Sequence, residues 1–372
     1  MSNRLPIREI ETPATVILGD YYTDARRRKL SKGSAIMIAQ SGLQSKHYQN
    51  SLSMYEAIRK PYRPKNFTRI FDVNDYVPSA TMAYAALRFN QSSQTAINYF
   101  EKLVPFVKKN ADSTDIVFAV HPTASEITTL ILAHNNDFPK VTNTFSSLMS
   151  NSELIKLGIR TPEAYAMLTS LTLLTDGDYV INAVKQIIGM KKKWEDDQTP
   201  VLLCLASRLN QDNFEATFHE WMDIGNSPRE KELKINEFTQ KGKSMLILAE
   251  KLGMFSREEV LKRYAELLKI KKIDDWGALR LLLADAANQS NVGLTTGENW
   301  YYTETEGEED GLIMPAYPIP GVPNMALDIA HGRMVTGISI PGVPSAFLSI
   351  GSGAYYESEH RVSVILLSKP AS

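Results

Sequence analysis

Helix-start signals recur at short intervals between about residue 79 and residue 290, and they commit most of this chain to helices. Thr123-Ala124-Ser125-Glu126 follows Pro122 with the spacing of a capping box, and Ile127, Leu130 and Ile131 come after it at core spacing. Thr161-Pro162-Glu163 sets a capping hydroxyl before a proline at the first helical position. Thr199-Pro200 repeats the device ahead of Val201–Leu209. Ser227-Pro228-Arg229-Glu230 and Ser256-Arg257-Glu258-Glu259 are two further capping boxes. After Ser256, the residues Val260, Leu261, Tyr264, Leu267 and Leu268 share one face, and Trp276–Ala287 is another amphipathic stretch. At least eight helices joined by short loops are expected in this region.

The two ends read differently. Residues 1–20 hold Pro6, Pro13 and a β-type run, Thr15-Val16-Ile17-Leu18, that stops at Gly19; this predicts an extended arm carrying one strand. Beyond residue 294 proline and glycine become dense. Ile319-Pro320-Gly321-Val322-Pro323 recurs as Ile340-Pro341-Gly342-Val343-Pro344, an offset of 21 residues. Pro-Gly is a turn signal, because proline presets one turn position and glycine accepts positive φ at the next. Two copies are too few for a solenoid. Arg361–Leu367 reads as a strand. The expected class is mainly α: two helical lobes, an extended N-terminal arm and a loop-rich, partly β C-terminal segment. The divisions are an arm over 1–35, lobes over 36–194 and 195–294, and the C-terminal segment over 295–372. The lobe boundary falls near Met190–Pro200, where a lysine run meets Glu195-Asp196-Asp197. The last segment lacks the apolar content for a core of its own and should pack on something else.

Composition narrows the chemistry. With 372 residues, 43% hydrophobic and 22% charged, the chain has the make-up of a globular protein with a sizeable core. The single cysteine, Cys204, rules out an internal disulfide and lies in an apolar run, as a small buried hydrophobe would. No apolar run follows the N-terminus as in a signal peptide, and none reaches the ~18 residues of a membrane span, so an intracellular or particle-borne protein is expected. The histidines His47, His121, His134, His219, His331 and His360 have no zinc-ligand spacing. There is no Walker loop, no G-x-G-x-x-G and no nucleophile elbow at Gly351-Ser352-Gly353. Thr175-Asp176-Gly177-Asp178 reads as a helix-joining turn rather than a metal loop. The reading is a non-enzyme without catalytic residues, metal or cofactor.

The charge is sorted along the chain. Residues 1–110 carry 17 Lys+Arg against 8 Asp+Glu, and residues 295–372 carry 3 against 9, within a net charge of −1. Arg26, Arg27, Arg28 and Lys29 form one basic cluster. Arg59, Lys60, Tyr62, Arg63, Lys65 and Arg69 form a second, in which cations alternate with rings on a backbone stiffened by Pro61 and Pro64. Lys191, Lys192 and Lys193 stand before Trp194 near the lobe boundary. Cations neutralise phosphates and rings stack on unpaired bases of any kind, so these thirteen residues are the candidate site for single-stranded nucleic acid. Glu304–Asp310 is the main acidic counterpart, a candidate for a basic patch on a neighbouring copy.

Taken together, the arm, the two helical lobes, the basic clusters and the extended tail resemble the nucleoproteins of negative-strand RNA viruses. The resemblance covers the whole chain by architecture, without a diagnostic motif; the proline-rich, partly β tail departs from it. It implies sequence-independent binding of single-stranded RNA in an interlobe groove, with terminal arms that reach onto adjacent protomers. Thr15–Leu18 and Val362–Leu367 would add strands to a neighbour. The implied partners are RNA, further copies of the chain and other viral proteins, with no membrane. The implied location is the virion and the host cell cytoplasm or nucleus. Two other classes stand beside it: a coat protein of a filamentous or icosahedral virus, and a helical scaffold without nucleic acid.

Overall fold

The computed structural model describes residues 13–62, 77–110, 116–175, 177–306, 313–318, 325–328, 333–339, 346–349 and 354–368. Among them are sixteen α-helices and six strands, so the mainly helical class and the partly β C-terminal segment agree with the sequence reading.

At its front the described chain is helix, not an extended arm. α1 (Ala14–Arg27) begins after Pro13 and buries Thr15, Leu18, Tyr22 and Ala25, which recur at helical spacing. The β-type run Thr15–Leu18 is therefore the first turn of a helix. Burying an apolar stripe outweighs the weak strand preference of valine and isoleucine. The Thr15 hydroxyl also donates to Glu266 at 3.0 Å, tying this turn to a helix late in the sequence. α2 (Lys32–Ser45) is capped by Ser31, which accepts from the Ser34 amide, and every residue from Ser34 to Leu43 is buried. A helix apolar or buried all round is central. Gly42 is needed there, because a Cβ would collide with Tyr21 and Tyr48, whose rings stack at 4.5 Å.

α3 (Tyr48–Arg59) ends in a 3₁₀ turn at Lys60–Tyr62, where Pro61 stops the α-helical ladder. α4 (Val77–Arg88), α5 (Ser93–Asn110), α6 (Ile116–Ala133), α7 (Phe138–Met149), α8 (Ser152–Lys156), α9 (Pro162–Leu174) and α10 (Gly177–Gly189) follow. Beyond residue 194 come α11 (Gln198–Leu209), α12 (Phe214–Met222), α13 (Pro228–Glu232), α14 (Gln240–Gly253), α15 (Arg257–Leu267) and α16 (Asp275–Gln289). Two caps form as read and a third, at Ser256, forms only the serine half of the expected box, because the Glu259 carboxylate takes Arg263 at 2.8 Å. Thr161 accepts from the Ala164 amide, Ser256 from the Glu259 amide, and the box between Ser227 and Glu230 closes in both directions. Two shift. α6 starts at Ile116, so Thr123–Glu126 lies inside it and is buried, because these side chains meet the core rather than the helix start. α11 starts at Gln198, two residues ahead of Pro200, because Asp196 accepts from the Thr199 amide at 2.7 Å.

Residues 36–194 and 195–294 share one buried apolar cluster. α1 packs on α15 and α16, α2 packs on α16, and α9 and α10 pack on α11. The acidic trio near residue 195 is a junction between helices. Glu195 accepts from the Gln240 amide at 2.9 Å. Asp197 accepts from the Arg160 and Thr161 amides, each at 2.7 Å, and from the Thr161 hydroxyl at 2.8 Å.

β1 (Leu294–Glu306) and β6 (Ala354–Leu366) pair antiparallel from Leu294 opposite Leu366 to Glu306 opposite Ala354. The helix-side end of this ribbon is inside the protein: Val292, Leu294, Val362, Val364, Ile365, Leu366 and Leu367 are buried, and β6 packs on α9 and α11. Val362–Leu367 thus meets strand and core of its own chain. β2 (Ile313–Pro318), β3 (Met325–Asp328), β4 (Arg333–Ser339) and β5 (Ala346–Ser349) lie between the ribbon strands, in the sheet order β1-β6-β4-β3-β2-β5 with β4 also paired to β5. Both IPGVP runs lie outside the described residues.

Candidate nucleic-acid interface

The end of α1 is turned outward by its neighbours. Ala25 and Leu30 are both buried, and the Leu30 amide donates to the Ala25 carbonyl at 3.2 Å, closing the helix end. The four cations between these anchors are exposed. Lys29 takes the left-handed conformation, φ 65°, that reverses the chain toward α2. Arg28 is paired to Asp24 at 2.7 Å, and Arg26 donates to the Leu30 carbonyl. Arg27 feels the Asp24 carboxylate only through space, and Lys29 has no partner among the described residues. The Arg28 guanidinium beside it holds the Asp24 carboxyl below its usual range, with help from the Tyr48 hydroxyl at 3.0 Å.

At the end of α3, Tyr55 and Ile58 point inward. Arg59 lies over the Tyr55 ring at 5.5 Å from its centroid and bonds Glu56 at 3.3 Å, while Lys60 is exposed. Tyr62, expected to stack on a base, instead meets the Phe100 ring edge-on at 5.5 Å. Burial pushes its phenol up to about 12. The apolar floor between α3 and α5 takes this ring before any ligand does. Arg63, Lys65 and Arg69 lie outside the described residues.

The lysine run divides in the same way. The Lys191 ammonium sits 4.8 Å from the Trp221 ring centroid and 5.6 Å from that of Trp194. These indoles stack at 5.5 Å, and their N–H groups donate to the Gln240 and Ile188 carbonyls. The expected pairing of a lysine with a base-stacking tryptophan is thus an internal cation–π contact, because Trp194 has a partner ring in its own fold. Lys192 and Lys193 are exposed. The three clusters sit at the ends of α1, α3 and α10, each fixed to different neighbours.

The most unusual electrostatics lie where the ribbon enters the helices, and the sequence reading missed them. Arg280, 1% exposed, donates to the Thr296 carbonyl at 2.9 Å and pairs with Glu298 at 3.4 Å. Lys32 bridges Glu298 at 3.3 Å and Asp274 at 2.7 Å. On the other strand, Arg361 lies 3.9 Å from Glu163, and the Ser363 hydroxyl donates to Glu126. Burial, then the Glu163 charge, pushes the Glu126 carboxyl up to about 8. A signal existed in the isolated arginine of Gly277-Ala278-Leu279-Arg280-Leu281-Leu282-Leu283. Glu126 and Glu163 are almost wholly buried, which keeps this cluster from acting on a ligand. Its chemistry is that of a lock between strands and helices.

Other candidates close in the same manner. Cys204 is fully buried, and burial pushes its thiol up, away from the reactive thiolate. Thr175 caps the end of α9 and Gly177-Asp178 open α10, while Asp176 lies outside the described residues. No group of three or more His, Cys, Asp or Glu side chains among the described residues is placed to hold a metal ion, and no described helix is long and apolar enough to cross a membrane. No family model, curated protein or solved structure matches the chain.

Proposed function

We propose that the protein is a nucleoprotein-type RNA-binding protein that holds single-stranded RNA through its phosphates, without reading sequence. The observation that carries this reading is the set of exposed cations at helix ends, Lys29, Lys60, Lys192 and Lys193, which have no internal partner among the described residues, with exposed Arg27 beside them. A solvated cation without a carboxylate beside it keeps its full charge for an external anion. Arg26, Arg28 and Arg59 flank them. The inward turn of Tyr62, Trp194 and Trp221 shifts the weight of binding from base stacking to phosphate neutralisation. Sequence independence and a steep salt dependence follow from that shift. Such a protein belongs in a virion and in the infected cell.

The test is binding of an unstructured oligonucleotide by the purified full chain across a salt series. Each phosphate that a variant no longer neutralises should lower the slope of log K against log salt by about 0.7 for a single strand. Replacing Arg27, Lys29, Lys60, Lys192 and Lys193 with glutamate should abolish RNA co-purification while the fold is kept. Unchanged RNA content in that variant would overturn the reading and favour a scaffold whose basic surface serves an acidic protein.

A further inference from the structure

The 21-residue repeat extends beyond IPGVP. At the same offset Leu327 matches Leu348, Ile329 matches Ile350, and Gly332 matches Gly353. The strands obey it too. β2 and β3 pair with Ala316 opposite Asp328 and Pro318 opposite Ala326. β4 and β5 pair with Gly337 opposite Ser349 and Ser339 opposite Phe347, the same register moved by 21. The ladders between the hairpins follow the same rule. Met325 opposite Thr336 in β3–β4 becomes Ala346 opposite Pro315 in β5–β2. The four strands therefore close on each other as two equivalent hairpins, each presenting to the other the surface it receives. Sequence repeat and strand register agree on this internal two-fold.

One pairing breaks the equivalence. β4 also pairs with β6, with Met334 opposite Tyr356 and Val335 opposite Tyr355. β4–β5 is thereby fastened to the ribbon and the helical body. Among the described residues, β2–β3 has no strand partners other than β4 and β5.

We propose that β2–β3 is an exchangeable element, which leaves its own β4–β5 and docks on the β4–β5 of a second copy of this chain in the same register. An interface between two equivalent hairpins is self-complementary, so a hairpin from another copy forms every ladder that its own hairpin formed. Exchange leaves the acceptor's β2–β3 without a partner, and it passes to the next copy. The contact is head-to-tail, growing as a filament or closing as a ring. The connections either side, residues 307–312 and 329–332, reach at most about 20 and 13 Å at ~3.3 Å per residue. Donor and acceptor bodies are therefore immediate neighbours. This contact is independent of RNA.

The experiment uses the full chain with Cys204→Ser, which removes the only native thiol. Leu327→Cys and Met334→Cys, opposite each other in β3–β4, are placed on separate copies, co-expressed, treated with nuclease and oxidised mildly. The adjacent pair, Ala326→Cys with Val335→Cys, is run in parallel in case one pair has poor bridge geometry. A disulfide-linked dimer is expected in the mixtures and not with either single variant alone. A chain carrying both cysteines is expected to give a ladder of linked multimers. Closure of that double variant solely within one chain, with no dimer in the mixtures, would overturn the exchange. Absence of any bridge would overturn it as well, because the register on which it stands would be wrong. Loss of RNA binding in the glutamate variants leaves this result untouched, so the two readings fail separately.

Discussion

Glu126 is where a single proton matters most. Its folded pKa, about 8, lies above the ordinary 4.5, so the fold holds the protonated form. The stability it contributes is fully present below about pH 4.5, falls as pH rises and is lost above about pH 8. Glu126→Gln keeps a partner for the Ser363 hydroxyl and removes the titration. Its melting temperature should vary less than that of the parent between pH 5 and 8, and exceed it at pH 8. Melts across that range, followed by circular dichroism, check this. A Cβ at Gly297 would strike both Ser363 and Glu126, so glycine is required where β1 crosses this pair. Arg280 is the other critical residue. Arg280→Ala removes the guanidinium that faces buried Glu298 and should cost about 3–5 kcal/mol in chemical denaturation. Adding Glu298→Ala should recover part of that loss.

At the scale of elements, helix ends are held partly by local chemistry and partly by distant acceptors. Ser227, Ser256 and Thr161 cap within three residues of themselves, so their sequence pattern is enough to find them. Asp197 serves the start of α9 from 36 residues away. Asp197→Ala should therefore destabilise the protein by about 3 kcal/mol, since four donors lose one half-buried acceptor at once. Thr161→Ala should cost nearer 1 kcal/mol. Denaturant midpoints of the two variants check the order. α1 makes the complementary point. Its Thr15–Leu18 turn has strand-like residue types, and the surfaces of α2, α15 and α16 supply the reason for a helix.

At the scale of the molecule, the helical body and the strand module divide the work. The body holds the continuous core and the exposed cations. The module holds the duplicated hairpins and meets the body through β1 and β6. Glu306 stands opposite Ala354, so a two-residue Asn-Gly turn can replace residues 307–353. That excised protein should stay helical and keep its RNA affinity but run as a monomer in size-exclusion chromatography. Aggregation or loss of helix would show that the module supports the body. What the amino-acid sequence determined by itself was whatever depends on neighbours along the chain: the helical class, the caps at Thr161, Ser227 and Ser256, the turn-rich end and its 21-residue repeat, and which residues are charged. The tertiary structure decided whatever depends on a partner far away in the chain. It made α1 a helix, drew Tyr62 and Trp194 inward, spread the basic clusters over separate helix ends and buried Arg280 against Glu298. The physical reason is common to all of these. Local signals are worth about 1 kcal/mol, and burying a ring, an apolar stripe or a paired charge against a distant surface is worth several.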